Sequence, residues 1–254
     1  MFTLITALRS LTAYVFVIAY LVLIGAPGLL FAIATNTHKH LIVLGIACIR
    51  MSMAILGIRA EVSGAEHIQH RRAALYTVNH ASNVEPPILF AVLRELTPRL
   101  KVVYKAVLRK TPILGRGFDA VGFVPIEREN RERATQAIDQ AARSVQSGNS
   151  LLMFPEGTRS RTGELLPFKK GAFVLAIKAQ APVVPAAIFG AARAMRPGSP
   201  LIWPTTVRVH FGVPIETAGL QMSDRDSLAE RVRTEVARLL DEAALADGAT
   251  SGSL

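Results

Sequence analysis

The amino-acid sequence predicts an α/β fold with a largely parallel central sheet flanked by helices, preceded by an N-terminal apolar helical hairpin. From residue 59 onward, short apolar runs alternate with longer runs at helical spacing, as in strand–helix–strand units. Residues 1–60 contain no Asp or Glu, so all 19 acidic residues lie in the second part of the chain. The chain therefore divides into an apolar first part and a basic, mixed-polarity second part.

The N-terminal part predicts a membrane-anchoring hairpin. Leu11 to Ala34 is a run of 24 uncharged residues, long enough to cross a hydrocarbon core of about 30 Å as a helix, although Pro27 predicts a kink or break. Leu41 to Ile58 is a second apolar run. Arg50 near its middle would cost about 3 kcal/mol at mid-bilayer, which favours a tilted, interfacial or domain-packed helix. A cleaved signal peptide and a buried soluble helix pair are the alternatives.

Periodicity in the second part predicts seven strands and three long helices, so we divide the chain into a hairpin (1–58), an α/β domain (59–247) and a disordered tail (248–254), which is small and polar. The predicted strands are Arg59–Ser63, Ala74–Val78, Lys101–Tyr104, Gly122–Ile126, Ser150–Phe154, Val183–Ile188 and Thr206–Phe211. The predicted helices are Arg131–Ser147, Phe168–Gln180 and Leu228–Ala244.

A histidine and an acid five residues apart form the first candidate site. His80 and Glu85 lie between a predicted strand and a predicted helix. On a helix they would stand about 140° apart, and on a strand they would face opposite sides, so they meet only if the chain turns at 81–83, where Ala-Ser-Asn suits a turn. A histidine held by a carboxylate acts as a general base. In the alternative interpretation, His80 bonds a loop carbonyl and Glu85 caps the helix.

The segment Phe154–Ser160 forms the second candidate site, again after a predicted strand. Gly157 permits close approach of the backbone to a ligand. Arg159 presents a planar fork that suits a phosphate, with Thr158 as an extra donor. The alternative is a surface turn in which Glu156 pairs with one of two nearby arginines, an interaction worth about 0–1 kcal/mol.

Two weaker features accompany these sites. The segment Gly122–Arg128 ends a predicted strand with a cation at its carboxyl end, where open α/β sheets bind ligands. A proline at 185 interrupts the strand Val183–Ile188, which read alone is a core or edge strand.

Composition excludes several classes of protein. The net charge of +10 favours nucleic acid, an anionic membrane surface or an anionic small substrate as partner. The chain lacks zinc-finger spacing and a helix-turn-helix signal, so we expect no nucleic acid. The single cysteine, Cys48, excludes an internal disulfide and a cysteine-based metal site. Without a Walker-type loop or a GxSxG elbow, phosphoryl transfer and serine hydrolysis are disfavoured.

In their order and spacing, the four segments resemble the lysophospholipid acyltransferase family over residues 59–212. The matching blocks are Asn79-His80 followed by an acid, then Gly122–Arg128, Phe154–Ser160 and Val184-Pro185. The family has an aspartate where this chain has Glu85. Glutamate keeps the charge and adds one methylene, so we expect it to orient His80 by a different rotamer.

The resemblance implies a role for each matching residue. His80 would deprotonate an acceptor hydroxyl that attacks an acyl thioester directly, and Glu85 would orient His80. Neither a metal nor a cofactor is implied. The residues implied to bind the glycerol-phosphate end are Glu156, Gly157, Thr158, Arg159, Arg128 and Lys105, and those implied to line the acyl pocket are Val184 and Pro185.

The function implied by the resemblance is transfer of a fatty acyl group from acyl-CoA or acyl-carrier protein to the free hydroxyl of 1-acylglycerol-3-phosphate, giving phosphatidic acid. The implied partners are membrane lipid and lysophospholipid. The implied location is the cell inner membrane, with the catalytic domain on the cytoplasmic face. Two alternatives remain: acyl transfer to glycerol-3-phosphate or another lysolipid, and a non-enzymatic membrane protein that binds anionic lipid.

Overall fold

The computed structural model describes residues 2–127 and 131–251, except for the side chains at 131 and 249–251. Within these residues, seven strands form one sheet in the order β1-β7-β6-β2-β5-β3-β4. The strands are β1 Ile58–Ser63, β2 Leu75–Val78, β3 Leu100–Lys105, β4 Val124–Ile126, β5 Ser150–Met153, β6 Val183–Phe189 and β7 Thr205–Phe211. The α-helices are α1 Phe2–Tyr20, α2 Ala26–Thr35, α3 Lys39–Leu56, α4 Glu85–Val92, α5 Leu114–Ala120, α6 Arg131–Gln146, α7 Gly171–Ala179, α8 Ala191–Ala194 and α9 Arg225–Ser251.

Strand direction creates one edge of the sheet at which several loops meet. Strands β6, β2, β5, β3 and β4 are neighbours in parallel pairs. Strand β7 pairs antiparallel with β6, and β1 is parallel to β7. The carboxyl ends of the five parallel strands therefore lie along the same side of the sheet, which we call the catalytic edge. The carboxyl ends of β1 and β7 lie along the opposite side.

Two apolar layers cover the faces of the sheet. One layer includes residues of α3 and α4, and the other includes residues of α6, α7 and α9. In β2, Leu75 belongs to one layer and Tyr76 to the other, because successive side chains of a strand point to opposite faces. Every residue of β2 and β5 is buried, as in parallel strands covered on both sides.

The predicted α/β class and the largely parallel sheet are confirmed. All seven predicted strands form, with ends within two residues of the predicted bounds. Helix α7 begins three residues later than predicted, while α9 begins three residues earlier and continues to Ser251. Alanines at 243, 244, 246 and 249 favour that continuation into the segment predicted as a tail. The division into hairpin, domain and tail stays a prediction, and residues 252–254 lie outside the described residues.

The N-terminal helix does not break at Pro27. A π-helical turn at Leu21–Gly25 directly precedes the segment of α2 that contains this proline. Proline lacks a donor and its ring crowds the carbonyl four residues earlier, and a wider turn accommodates both effects. The helical path therefore continues from Phe2 to Thr35.

Helix α3 packs along the globular part of the chain. Ile42 and Leu56 are buried in the apolar layer beside the sheet, and Ile49 and Met53 pack against it partly buried. Arg50 points outward and is exposed. Packing on the domain was one of the three expectations for this segment, and it keeps the charge of Arg50 off the apolar contact face.

Polar contacts anchor α1 to the loop before β7. The hydroxyl of Ser10 accepts the Ile202 N–H at 2.9 Å, and the Tyr14 hydroxyl donates to the Pro200 carbonyl at 2.7 Å. Ser10 is buried although it lies in an apolar helix. These bonds hold the hairpin against the domain at a defined position.

Two helical segments, Phe2–Thr35 and Lys39–Leu56, are long and apolar enough to cross a membrane by length and composition. Only 11% of each apolar window is buried, unlike the core helix of a soluble domain. Many large apolar side chains of α1 and α2 face outward, and such a continuous apolar surface is typical of membrane contact. The hairpin therefore indicates membrane association.

We predict that exchanging the exposed Leu23 and Leu30 for lysine weakens binding to phospholipid vesicles by about tenfold or more, because each buried lysine is disfavoured by up to about 3 kcal/mol. Vesicle flotation measures the bound fraction. The control is Val213→Lys, which adds a lysine at an exposed position of the globular part. Equal flotation of the hairpin variant and the control would contradict membrane contact through α1 and α2.

Candidate active site

Two loops at the catalytic edge bring the two candidate sites together. His80 lies two residues beyond β2, and the segment 154–160 follows β5, the parallel neighbour of β2. The Asn79 side chain fixes the first loop to β6, since it donates to the Ile188 carbonyl at 3.0 Å and accepts the Ile188 N–H at 2.7 Å. Adjacent parallel strands thus deliver both motifs to the same place.

His80 and Glu85 contact each other directly, because the chain turns between β2 and α4. The imidazole Nδ1 lies 2.7 Å from Oε2 of Glu85. The Ala81 N–H lies 3.0 Å from each carboxylate oxygen. Glu85 is fully buried, and it begins α4. The extra methylene of glutamate is therefore compatible with the contact that orients the ring.

The surroundings of this pair leave one imidazole nitrogen available. Burial raises the pKa of Glu85 above its ordinary value, although the hydrogen bonds from His80 and Ala81 act in the opposite direction. The Nδ1–H group donates a hydrogen bond to the Glu85 carboxylate, so Nε2 carries the lone pair. Among the described residues Nε2 has no hydrogen-bond partner, and the side chain is 14% exposed. The Phe154 ring stacks on the imidazole at 4.2 Å between centroids. This geometry is that of a general base.

Glu156 lies inside the protein, where it contacts backbone. The His80 N–H donates to its Oε1 at 2.6 Å, and the Leu166 N–H donates to its Oε2 at 3.1 Å. The residue is 2% exposed, and no ion pair joins it to an arginine within the described part of the chain. The alternative of a surface turn with a Glu–Arg ion pair is therefore wrong. Burial, with a smaller effect from Glu85, raises the pKa of Glu156 to about 7.

Gly157 has the left-handed backbone conformation, with φ +70°. A Cβ atom at this position would lie 2.8 Å from Cδ of Lys169, so the glycine allows the lysine side chain to cross it. The Lys169 N–H also donates to the Pro155 carbonyl at 2.8 Å. Lys169 is not among the residues predicted from the sequence. A signal was present, because two lysines just before a helix lie where the helix dipole disfavours cations.

Three of the other residues predicted to bind the glycerol-phosphate end lie among the described residues. Thr158 and Arg159 are exposed, and Lys105 is an exposed residue at the carboxyl end of β3, on the catalytic edge. Neither Arg159 nor Lys105 forms an ion pair within the described residues, so both cations are available to an anion. Arg128 lies outside the described residues.

Val184 and Pro185 lie within the sheet and away from its edge. Both residues are buried in β6 and pair with Tyr76 and Thr77 of β2. Val184 packs in the apolar layer with Val78. The structure does not bring this pair into contact with His80, and their acyl-pocket role stays a prediction.

A family model described as "Acyltransferase" matches residues 59–189. The 1-acyl-sn-glycerol-3-phosphate acyltransferase of Limnanthes douglasii is 34% identical over 200 residues, which are 78% of this chain and 69% of that protein. The protein of the same name from Cocos nucifera is 36% identical over 169 residues, 66% of this chain and 53% of that protein.

The crystal structure of the 1-acyl-sn-glycerophosphate (LPA) acyltransferase PlsC from Thermotoga maritima is similar to this chain in fold. The TM-score is 0.82 at 24% sequence identity, and the match covers 96% of this chain and 98% of that one. At this identity the likeness shows the fold alone. The family model and the sequence relatives show that the chain belongs to the acyltransferase family.

The raised pKa of Glu156 predicts a pH-dependent stability. Between about pH 4.5, the ordinary value, and about pH 7, the folded state keeps a proton that the unfolded state has lost. The free energy of unfolding should therefore decrease as pH rises through this window. Because the pKa of Glu85 is also raised, Glu156→Gln should make that decrease smaller, whereas Glu164→Gln, an exposed control on the same loop, should leave it unchanged. Denaturant titrations in detergent measure the slopes, and identical slopes for wild type and Glu156→Gln would contradict the shift.

Proposed function

We propose that this acyltransferase moves a fatty acyl group from a thioester to the free hydroxyl of 1-acylglycerol-3-phosphate, giving phosphatidic acid. The observation that carries the proposal is the imidazole of His80, held at Nδ1 by the buried Glu85 with Nε2 available. Exposed cations on the same sheet edge and the apolar hairpin support a substrate with a phosphate and an acyl chain. The relatives named as 1-acyl-sn-glycerol-3-phosphate acyltransferases support the same acceptor.

In the proposed reaction the transfer is direct, without an acyl-enzyme, as the family resemblance implies. Nε2 of His80 removes the proton of the acceptor hydroxyl as its oxygen attacks the thioester carbonyl carbon. The tetrahedral intermediate then releases the thiolate, and the imidazolium returns the proton to the sulfur. Glu85 stabilises the imidazolium while it carries this proton. One ester bond forms, one thioester bond breaks, and no metal or cofactor takes part in the proposed step.

Cations on the same edge of the sheet as the base bind the acceptor in this proposal. Arg159 suits a phosphate because its guanidinium makes two parallel hydrogen bonds, and Lys105 adds charge on the same edge. Thr158 and Arg128 contribute further polar contacts to the glycerol-phosphate end, and Gly157 is assigned to the same end by family resemblance. Val184 and Pro185 are assigned to the acyl side by family resemblance.

The donor in this proposal is acyl-CoA or acyl-carrier protein, both of which are water-soluble thioesters that carry phosphate groups. The basic surplus of the chain attracts such anions. Since these donors are cytoplasmic, we place the protein on the cell inner membrane with the catalytic domain on its cytoplasmic face. The hairpin holds the catalytic edge close to the lysophospholipid in the membrane.

We predict that the purified protein acylates 1-acylglycerol-3-phosphate and that His80→Ala lowers kcat by about 10²–10⁴, the usual contribution of a general base. Product formation from labelled acyl-CoA measures the rate. The control is His67→Ala, which changes a histidine near the opposite edge of the sheet. Full activity of His80→Ala would contradict the assignment of the base, and no transfer from either donor would favour a lipid-binding protein without catalysis.

Removing the Arg159 guanidinium should raise the KM for 1-acylglycerol-3-phosphate by about 10- to 100-fold, because hydrogen bonds between charged groups are each worth about 1.5–3 kcal/mol. Arg231→Ala, which changes an exposed arginine on α9, is the matched control. The assay includes glycerol-3-phosphate and other lysolipids as acceptors, which tests the alternative substrates. An unchanged KM in Arg159→Ala would contradict the assignment of the phosphate ligand.

A further inference from the structure

We propose that Glu156 is a positioning residue, which fixes the backbone of the catalytic histidine. In this proposal Glu156 does not bind the glycerol-phosphate end of the acceptor. This inference rests on the proposed function, since it concerns how His80 is held for acyl transfer. It also revises the role that family resemblance implies for this residue. Glu156 is buried, and its hydrogen bonds join the loop after β2 to the loop after β5.

The contacts of Glu156 are directed toward the protein interior. One carboxylate oxygen accepts the His80 N–H at 2.6 Å, and the other accepts the Leu166 N–H at 3.1 Å. A carboxylate is an acceptor only, and hydrogen bonds to a charged acceptor are stronger than those between neutral groups. At 2% exposure, the side chain has little surface to offer a substrate. A phosphate would also meet repulsion from a second negative charge.

The same turn holds His80 from its other side. The Ser160 N–H donates to the His80 carbonyl at 2.7 Å, so both backbone polar groups of His80 bond to the segment 154–160. Phe154 of this segment stacks on the ring. The ring position is therefore set by the second loop as well as by Glu85, and Glu156 links that loop to both His80 and Leu166.

Loss of the two hydrogen bonds of Glu156 should lower kcat and leave substrate binding unchanged. A displacement of about 1 Å in a reacting group lowers rates by about 10²-fold. Alanine at 156 leaves two buried N–H groups without an acceptor, whereas glutamine supplies one carbonyl oxygen and places an NH₂ group against the other N–H. The order of kcat should therefore be wild type, then Glu156→Gln, then Glu156→Ala.

The charge state of Glu156 supplies a readout that general destabilisation does not change. Its carboxyl group, with a pKa of about 7, lies in the field of Glu85 and Arg233 and bonds the backbone of His80. Protonation weakens it as an acceptor, and glutamine resembles the protonated form. The activity ratio of wild type to Glu156→Gln should therefore be largest above pH 7 and fall toward one at lower pH, where the wild-type side chain is itself protonated.

The kinetic experiment compares kcat and the KM for 1-acylglycerol-3-phosphate in wild type, Glu156→Gln, Glu156→Ala and the exposed control Glu164→Ala. We expect kcat to fall about tenfold in Glu156→Gln and about 100-fold or more in Glu156→Ala, with KM within about twofold of wild type and the control unchanged. A KM that rises with kcat preserved would overturn the proposal, since it would identify Glu156 as a substrate ligand. An activity ratio independent of pH would also overturn it.

Hydrogen–deuterium exchange tests the same link without an activity assay, so a failure of the proposed function does not affect it. Peptides that contain the His80 and Leu166 amides should exchange about tenfold faster in Glu156→Ala, and more modestly faster in Glu156→Gln, while Glu164→Ala exchanges as wild type. If both amides exchange at the wild-type rate in Glu156→Ala, the positioning role is wrong, whatever the enzyme's activity.

Discussion

The arrangement of the site depends on how His80 is held between two loops. Its ring bonds Glu85, its N–H donates to Glu156, and its carbonyl accepts the Ser160 N–H. A general base must lie within hydrogen-bond distance of the proton that it removes. A ring held by one contact alone would be positioned less precisely relative to that proton. The catalytic loop and the loop after β5 therefore act as one unit, and each of them begins at the end of a buried parallel strand.

This unit lies at the edge of the sheet that also carries the exposed cations. Lys105 ends β3 and Arg159 follows β5, and the carboxyl ends of both strands reach the same edge as that of β2. The hairpin supplies an apolar surface, and α3 packs along the domain while Arg50 stays exposed. A substrate with a phosphate and a hydrocarbon chain requires both kinds of surface, and the fold attaches one to the other without a flexible linker.

Local patterns in the sequence account for what could be predicted of the fold and the site. Strands and long helices appear in the periodicity of apolar residues, and a short turn between His80 and Glu85 is enough to bring them together. Lys169 was missed because its approach to Gly157 joins residues twelve positions apart. The antiparallel direction of β7 was also beyond local patterns, since it depends on which side of β6 the chain returns to.

The sequence by itself determined the fold class, the apolar hairpin and the pairing of His80 with an acid, because each depends on residues close together in the chain. Only the tertiary structure decided that Glu156 is buried against the backbone of His80. Its two hydrogen bonds link positions 76 and 10 residues away, and burial is a property of the packed strands around it. Read from the sequence, the same acid is compatible with a surface turn that holds an ion pair, since a glutamate in such a turn is usually solvated.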